Sequence, residues 1–281
     1  MILTVLTVPA FDEELACDRM WQAGARSVEI VDGLGDEVVV RSVLADDDRG
    51  SRQRLGDVPS GWRVSFEEPP PAPAETWRDH VQPIRVNGAL IIRPAWLEPC
   101  GEDGVTEIVI EPGGSFGLGD HPTTRLSADA VWRSVNPGDE VLDVGCGSGA
   151  LSIIAAHRGA RRVVGIDISE PAVSATIENC SRNHDLGLIP DEVVEVSGTL
   201  VSEIAGQFDV VVANILAPTL ISMADDLKRL TSRRLIISGI LDGHYDHVID
   251  ALAPMSVVGK DTLDGWAVVE LAWPMPAGSG R

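Results

Sequence analysis

Gly145, Gly147 and Gly149 recur at alternate positions in the stretch DVGCGSGAL, between a strand-like run and a helix-like run. A backbone that turns sharply and passes close to a ligand needs glycine. The helix after such a turn aims its free N–H groups at a negative group. Asp167 closes the next strand-like run, RVVGID, twenty residues after Gly147. A carboxylate there accepts hydrogen bonds from both hydroxyls of a ribose. Together these features suit a nucleoside-bearing cofactor, and they leave its identity open. Nicotinamide dinucleotides and flavins set a pyrophosphate on such a turn, whereas S-adenosylmethionine sets a methionine carboxylate there. The dinucleotide fingerprint GxGxxG has its third glycine one place later than the GxGxG of this chain. The plain structural alternative for Asp167 is a helix cap or a solvent-facing strand end.

Asn214 follows the run FDVVVA, at the carboxyl end of a strand, where open α/β sheets bind ligands. An amide there orients an amine or touches the cofactor; the alternative is an N-cap for a helix starting near Pro218. GGSFGLGDHPTT is a glycine-rich loop that leads into a helix expected over residues 124–135. Within it, His121 joins Asn214 as a candidate catalytic residue, because a free imidazole ordinarily titrates near neutral pH. Its alternative is a loop-fixing hydrogen bond before Pro122. Thr124 either caps the helix or contacts the cofactor, and Phe116 either walls the adenine or simply packs. His80, His157, His184, His244 and His247 form no triad. His244 and His247 lie three apart on an expected helix but have no third metal ligand.

The elements that must position these groups fall into two parts. Residues 1–66 read as strand, helix, strand, strand and a last strand, a small ferredoxin-like α+β domain. Its helix carries Leu15, Met20 and Trp21 at helical spacings, and a second helix is expected near SRQRLGDV within a polar loop over residues 45–61. EEPPPAPAE, residues 67–75, is a proline-rich and therefore stiff spacer. In residues 76–281, ALIIRPAW and TEIVIEP read as strands. From Glu140 onward strands alternate with helices expected over 148–158, 170–182, 218–230 and 241–252. That alternation means a largely parallel sheet with helices on both faces. The last two strands, MSVVGK and WAVVELAW, are joined by the short DTLDG and must be antiparallel neighbours. A terminal antiparallel pair favours the seven-stranded methyltransferase sheet over a nicotinamide-binding one.

Composition limits the function classes. The formal net charge of −21 argues against direct binding to a nucleic-acid backbone and is compatible with a basic protein partner. No apolar run approaches the ~20 residues that a membrane span needs. The opening MILTVLTVPAFDEE lacks a basic start and reads as a first strand, so a cytoplasmic chain is expected. Cys17, Cys100, Cys146 and Cys180 are scattered, without the paired spacing of a zinc site or a disulfide framework.

Several separated stretches resemble the PrmA-type methyltransferases of large-subunit ribosomal protein eleven. FGLGDHPTT is similar to that family's FGxGxHPTT loop, and VLDVGCGSGALSIIAAHRGA and VVGIDIS are similar to its cofactor-binding core. VVANILA and ISGIL resemble the ends of its fourth and fifth strands, and PIRVNGALIIRPAW the approach to its catalytic domain. The match covers most of residues 82–241, whereas residues 1–66 agree only in size and pattern. The resemblance implies an α/β, Rossmann-like, seven-stranded doubly wound catalytic domain that uses S-adenosylmethionine. It implies N-methylation of lysine side chains and the α-amine of a large-subunit ribosomal protein, with the front domain recognising that protein. The linker would let the two domains reorient. Cofactor contacts then fall on Thr124, Gly145, Gly147, Asp167 and Asn214. Leu118 and Asp120 stand where the family loop has threonines, and the negative charge of Asp120 either suits a cationic lysine or marks a different substrate. No metal is implied, and a monomer is expected. The competing readings are a methyltransferase of the same fold acting on another protein lysine or a small amine, a nicotinamide oxidoreductase, and a non-catalytic homologue that retains the cofactor.

Overall fold

Burial alternates over residues 37–45 and 63–67 because successive side chains of a strand point to opposite faces and only one face is covered. In the computed structural model, residues 2–25, 28–33, 35–68, 81–111 and 121–274 are described. They divide into two units, residues 1–81 and 82–281. The first contains β1 (Ile2–Pro9), α1 (Glu13–Gln22), β2 (Glu29–Asp32), β3 (Glu37–Ala45), α2 (Asp48–Leu55) and β4 (Arg63–Glu67). The sheet order is β2-β3-β1-β4, with every neighbouring pair antiparallel, which is the ferredoxin-like arrangement. Leu6, Val8, Val38, Val40 and Leu44 turn one face of the sheet onto Ala16, Met20, Leu55 and Trp62. The buried stripe of α1 is Ala16, Cys17 and Met20, so Leu15 and Trp21 are not part of the core and are 51% and 39% exposed. The small Ala16 faces the sheet where a leucine was the more obvious core residue. The stretch expected to be largely loop holds α2, which starts earlier than SRQRLGDV because the Asp47 side chain caps it, accepting from Gly50 N–H at 2.6 Å.

The second unit opens with a three-stranded sheet of β5 (Ile84–Arg85), β6 (Leu90–Pro94) and β7 (Thr106–Ile110), in that order, with β6 and β7 parallel. There follow α3 (Pro122–Ser134), β8 (Glu140–Val144), α4 (Ala150–His157), β9 (Arg162–Ile166), α5 (Glu170–Asp185), β10 (Val194–Ser197) and β11 (Phe208–Asn214). The chain ends with α6 (Ala217–Ser222), α7 (Ala224–Leu230), β12 (Thr231–Leu241), α8 (Asp246–Ala251), β13 (Ser256–Leu263) and β14 (Trp266–Ala272). One seven-stranded sheet results, ordered β10-β9-β8-β11-β12-β14-β13. Its first five strands are parallel, and β14 is antiparallel to both neighbours.

Central strands are largely apolar because both faces are covered. Val141, Val210 and Val212 pack with Val131, Ile153 and Ile154 of α3 and α4 on one face. Leu142, Val144, Val211 and Ala213 pack with Leu220, Leu227 and Val248 of α6, α7 and α8 on the other. The helix expected over 218–230 is broken at Met223 into α6 and α7. The helix expected over 241–252 is only α8, because β12 runs on to Leu241 and Asp242 N–H bonds to Gly265 O at 2.8 Å, which keeps that segment on the terminal hairpin. Most of DTLDG is strand. Leu263 pairs with Trp266, and the turn is the two residues Asp264 and Gly265, with φ of 50° and 81°.

The ISGIL stretch carries a bulge. The register of β12 shifts between Ser238 and Ile240, and Gly239 adopts φ of 84°. A Cβ at Gly239 would lie 2.4 Å from Ile215 O, so the missing side chain lets the chain leaving β11 pass directly over the end of β12. Gly239→Ala is expected to destabilise the protein by about 1–3 kcal/mol, through positive-φ strain and this contact. Urea denaturation checks it, and wild-type stability would contradict the account.

Candidate functional site at the carboxyl edge of the central strands

β8, β9 and β11 lie side by side and parallel, with Val144 level with Ile166 on one side and Ala213 on the other. The chain leaves β8 toward β9 and β10 and later returns to the other flank with β11. The switch in strand order therefore falls beside β8, where open α/β sheets bind their ligands. One residue beyond the shared level stand Gly145, Asp167 and Asn214. Strands spaced about 4.8 Å apart put all three within one ligand's reach.

The turn is built from left-handed residues, with φ of 75°, 56° and 83° at Gly145, Gly147 and Gly149. Gly145 N–H and Cys146 N–H both donate to Ile166 O, at 2.8 and 3.1 Å. A Cβ at Gly145 would lie 2.6 Å from Ile215 Cγ2, so a side chain there would collide with the residue that follows Asn214. Asp167 Oδ2 accepts from Gly147 N–H at 3.0 Å and Oδ1 from Ser169 N–H at 2.8 Å. Asp167 thus braces the turn, while Ser169 takes the N-cap position of α5. Each carboxylate oxygen keeps further acceptor capacity for a ribose hydroxyl.

Asn214 is the last residue of β11 and is half-buried. It does not cap α6, whose N-cap position is Leu216. Among the described residues its side-chain amide has no hydrogen-bond partner.

His121 occupies the N-cap position of α3. Its Nδ1 accepts from Thr123 N–H at 3.3 Å and lies 2.8 Å from the Thr123 hydroxyl. A neutral ring that accepts at Nδ1 carries its proton on Nε2. The imidazole also meets the Trp266 ring edge-on, with centroids 4.9 Å apart. Trp266 pairs with Leu241 at the carboxyl end of β12, so α3 begins at the same edge of the sheet. Thr124 is buried as the third residue of α3, and the cap there is His121 rather than Thr124. Phe116, Leu118 and Asp120 lie outside the described residues, as do His80 and most of the proline-rich spacer.

Asp143, within VLDV, is a site residue that the sequence reading passed over. It is 1% exposed on β8, beneath the glycine turn. Its Oδ2 accepts from the Ser152 hydroxyl at 2.7 Å, and its Oδ1 is buried without a partner among the described residues. Burial pushes its pKa up to about 6, with the Asp167 charge adding to the rise and the Ser152 hydrogen bonds opposing it. A lone acid inside a strand buried on both faces is the signal that marks it. The thiols nearby are inert by the same physics: burial raises Cys146 well above its ordinary value and Cys180 to about 12.

The family profile described as ribosomal protein L11 methyltransferase (PrmA) matches residues 72–272. The chain belongs to the ribosomal protein L11 methyltransferase family. A relative of that name from Geobacter metallireducens is 42% identical over 191 residues, covering 67% of this chain and 61% of the relative. One from Geobacter sulfurreducens is 44% identical over 179 residues, covering 63% and 57%. The chain thus spans about three fifths of the length of these curated relatives. The crystal structure of a ribosomal protein L11 methylase from Lactobacillus delbrueckii subsp. bulgaricus superposes with a TM-score of 0.61 at 29% identity, covering 69% of this chain and 98% of that one. The seven-stranded sheet is therefore the methyltransferase fold of this family.

Asp143 gives a pH signature. Its folded pKa lies above its unfolded one, so the folded state holds a proton that the unfolded state has released. Stability from this group falls as pH rises from about 4 to about 6, by roughly 3 kcal/mol, and then stays level. In Asp143→Asn that fall is expected to vanish, as measured by denaturation across this range. An unchanged profile would contradict the assignment.

Proposed function

We propose that this chain is an S-adenosylmethionine-dependent N-methyltransferase that modifies lysine and α-amino groups of ribosomal protein L11. The observation that carries the reading is the meeting of Gly145, Gly147, Asp167 and Asn214 at one edge of three parallel strands, in a chain of this family. The two Asp167 oxygens, each holding one backbone N–H and each able to accept another hydrogen bond, support the fit of a ribose there. S-adenosylmethionine, when bound, supplies a sulfonium methyl that is already electrophilic.

The protein's task is then to hold, orient and dry the reacting groups. Asp167 accepts from the ribose hydroxyls, while the turn and the start of α4 face the methionine carboxylate. Thr124 adds a contact from the start of α3. The Asn214 amide oxygen accepts from the attacking amine and turns its lone pair toward the methyl. His121 acts from the same edge, where its ring fixes the start of α3 against Trp266. A lysine amine with pKa near 10.4 must first lose a proton, so the rate is expected to rise with pH through the neutral range. Residues 1–66 serve as the recognition domain, 67–75 as the spacer and 76–281 as the catalytic domain. The chain's charge of −21 is compatible with a basic protein partner. We take the protein to work as a cytoplasmic monomer without direct nucleic-acid contact. No described helix is long and apolar enough to cross a membrane.

Labelled S-adenosylmethionine and purified ribosomal protein L11 test the proposal, with products mapped by mass spectrometry. Label on L11 supports chemistry and partner. Label on another protein keeps the chemistry and rejects the partner, and no transfer rejects the reaction. Asn214→Ala is expected to lower kcat about a hundredfold. Asp167→Ala is expected to act chiefly on cofactor affinity, and unchanged kinetics in both variants would reject the site.

A further inference from the structure

α5 carries a buried polar stripe that the proposed reaction does not use. Thr176, Asn179 and Asn183 are all 0% exposed, at helical spacings of three and four. Buried asparagines on a helix are costly unless every polar atom is paired, and here the partners are specific. Asn183 Oδ1 accepts from Val109 N–H at 2.9 Å, and its Nδ2 donates to Val109 O at 2.7 Å. Asn179 Oδ1 accepts from Glu111 N–H at 2.8 Å, and its Nδ2 donates to Glu111 O at 2.8 Å. β7 is the edge of its small sheet, and residues 109 and 111 turn their backbone groups outward. Four residues of helix advance about 6.0 Å and two residues of strand about 6.6 Å, so the two amides match the strand repeat. Together they stand in for a missing strand.

The stripe does a second thing at one end only. The other Asn179 Nδ2 hydrogen goes to Ser148 O at 2.9 Å, and Thr176 Oγ1 donates to Gly147 O at 3.0 Å. Both carbonyls belong to the glycine turn. Asn183 makes no bond to that turn; its remaining donor goes to Asn179 O at 2.8 Å. With Arg182 donating to its oxygen at 2.6 Å, Asn179 uses both donors and accepts twice. Aspartate would lose both donors there. Holding the two carbonyls fixes the planes of the peptides that follow Gly147 and Ser148.

The geometry points to Asn179, with Thr176, as the positioning pair that sets the glycine turn for the cofactor, whereas Asn183 only docks α5 on β7. This rests on the reading of the turn as the S-adenosylmethionine site. The test compares Asn179→Ala, Asn183→Ala and Thr176→Val in the full chain, by thermal melting and by calorimetric titration with S-adenosylhomocysteine. Both asparagine variants are expected to melt earlier. Below their transitions, Asn179→Ala is expected to bind at least tenfold more weakly than wild type, and Asn183→Ala within twofold of it. Wild-type affinity in Asn179→Ala, or equal weakening in both, overturns the inference. If Asn179→Ala does not fold, the near-isosteric Thr176→Val decides: at least threefold weaker binding supports the pair, and unchanged affinity overturns it. A wild-type chain that binds no S-adenosylhomocysteine rejects the cofactor reading itself, an outcome distinct from these.

Discussion

The peptide units around Gly147 are gripped from two sides, and the site depends on that grip. Asp167, one strand away, takes the Gly147 N–H, while Thr176 takes the Gly147 carbonyl and Asn179 that of Ser148. A run of left-handed glycines has wide conformational freedom when unbound, and ordering it costs entropy. Here the end of β9 and the helix α5, both downstream of the turn and of α4, provide the fixed partners. The turn is therefore preorganised by its own downstream sequence, and its shape does not have to be induced by a ligand.

The sheet supplies what the turn cannot, which is the placement of Asn214. β11 comes back beside β8 only after β9 and β10 have been laid down on the other flank. The parallel register then leaves Asn214 one step past the level of Val144. Gly239 completes the arrangement by letting the backbone after Asn214 cross β12. The ISGIL motif thus acts through what it lacks, a side chain at its centre.

Much of this was legible because parallel strands covered on both faces must be apolar along their length. EVLDV, RVVGID and FDVVVAN stand out for that reason, and the candidate site lies where they end. The terminal hairpin was legible from the short connection alone. The roles of Asn179 and Asn183 were not. A polar residue on a helix reads as solvent-facing unless its partner is known, and here the partner is an edge strand about seventy residues upstream. His121 shows a related limit. Its residue type suits a base or a cap equally well, and the capping use of Nδ1 is visible only in the Thr123 contacts. Leu15 and Trp21 lie on the outer side of α1 because the stripe of Ala16 and Met20 already fills the interface with the sheet.

The distribution of acids suits the proposed chemistry. Two carboxylates approach the turn, and their surroundings separate them: Asp167 is held by two backbone N–H groups at the open edge, whereas Asp143 is sealed below and pushed toward its neutral form. At the end of β11, beside them, the chain places an amide. That choice matters for a lysine substrate. A carboxylate at position 214 would pair with the ammonium and hold its proton, which raises the barrier to forming the nucleophile. An amide oxygen accepts a hydrogen bond from the neutral amine without stabilising the charged form to the same degree. Methyl transfer moves one positive charge from sulfur to nitrogen and creates none, so the site needs orientation more than a counter-charge. In the proposed reaction Asn214, placed by the sheet and without a partner among the described residues, is the group that would meet that need.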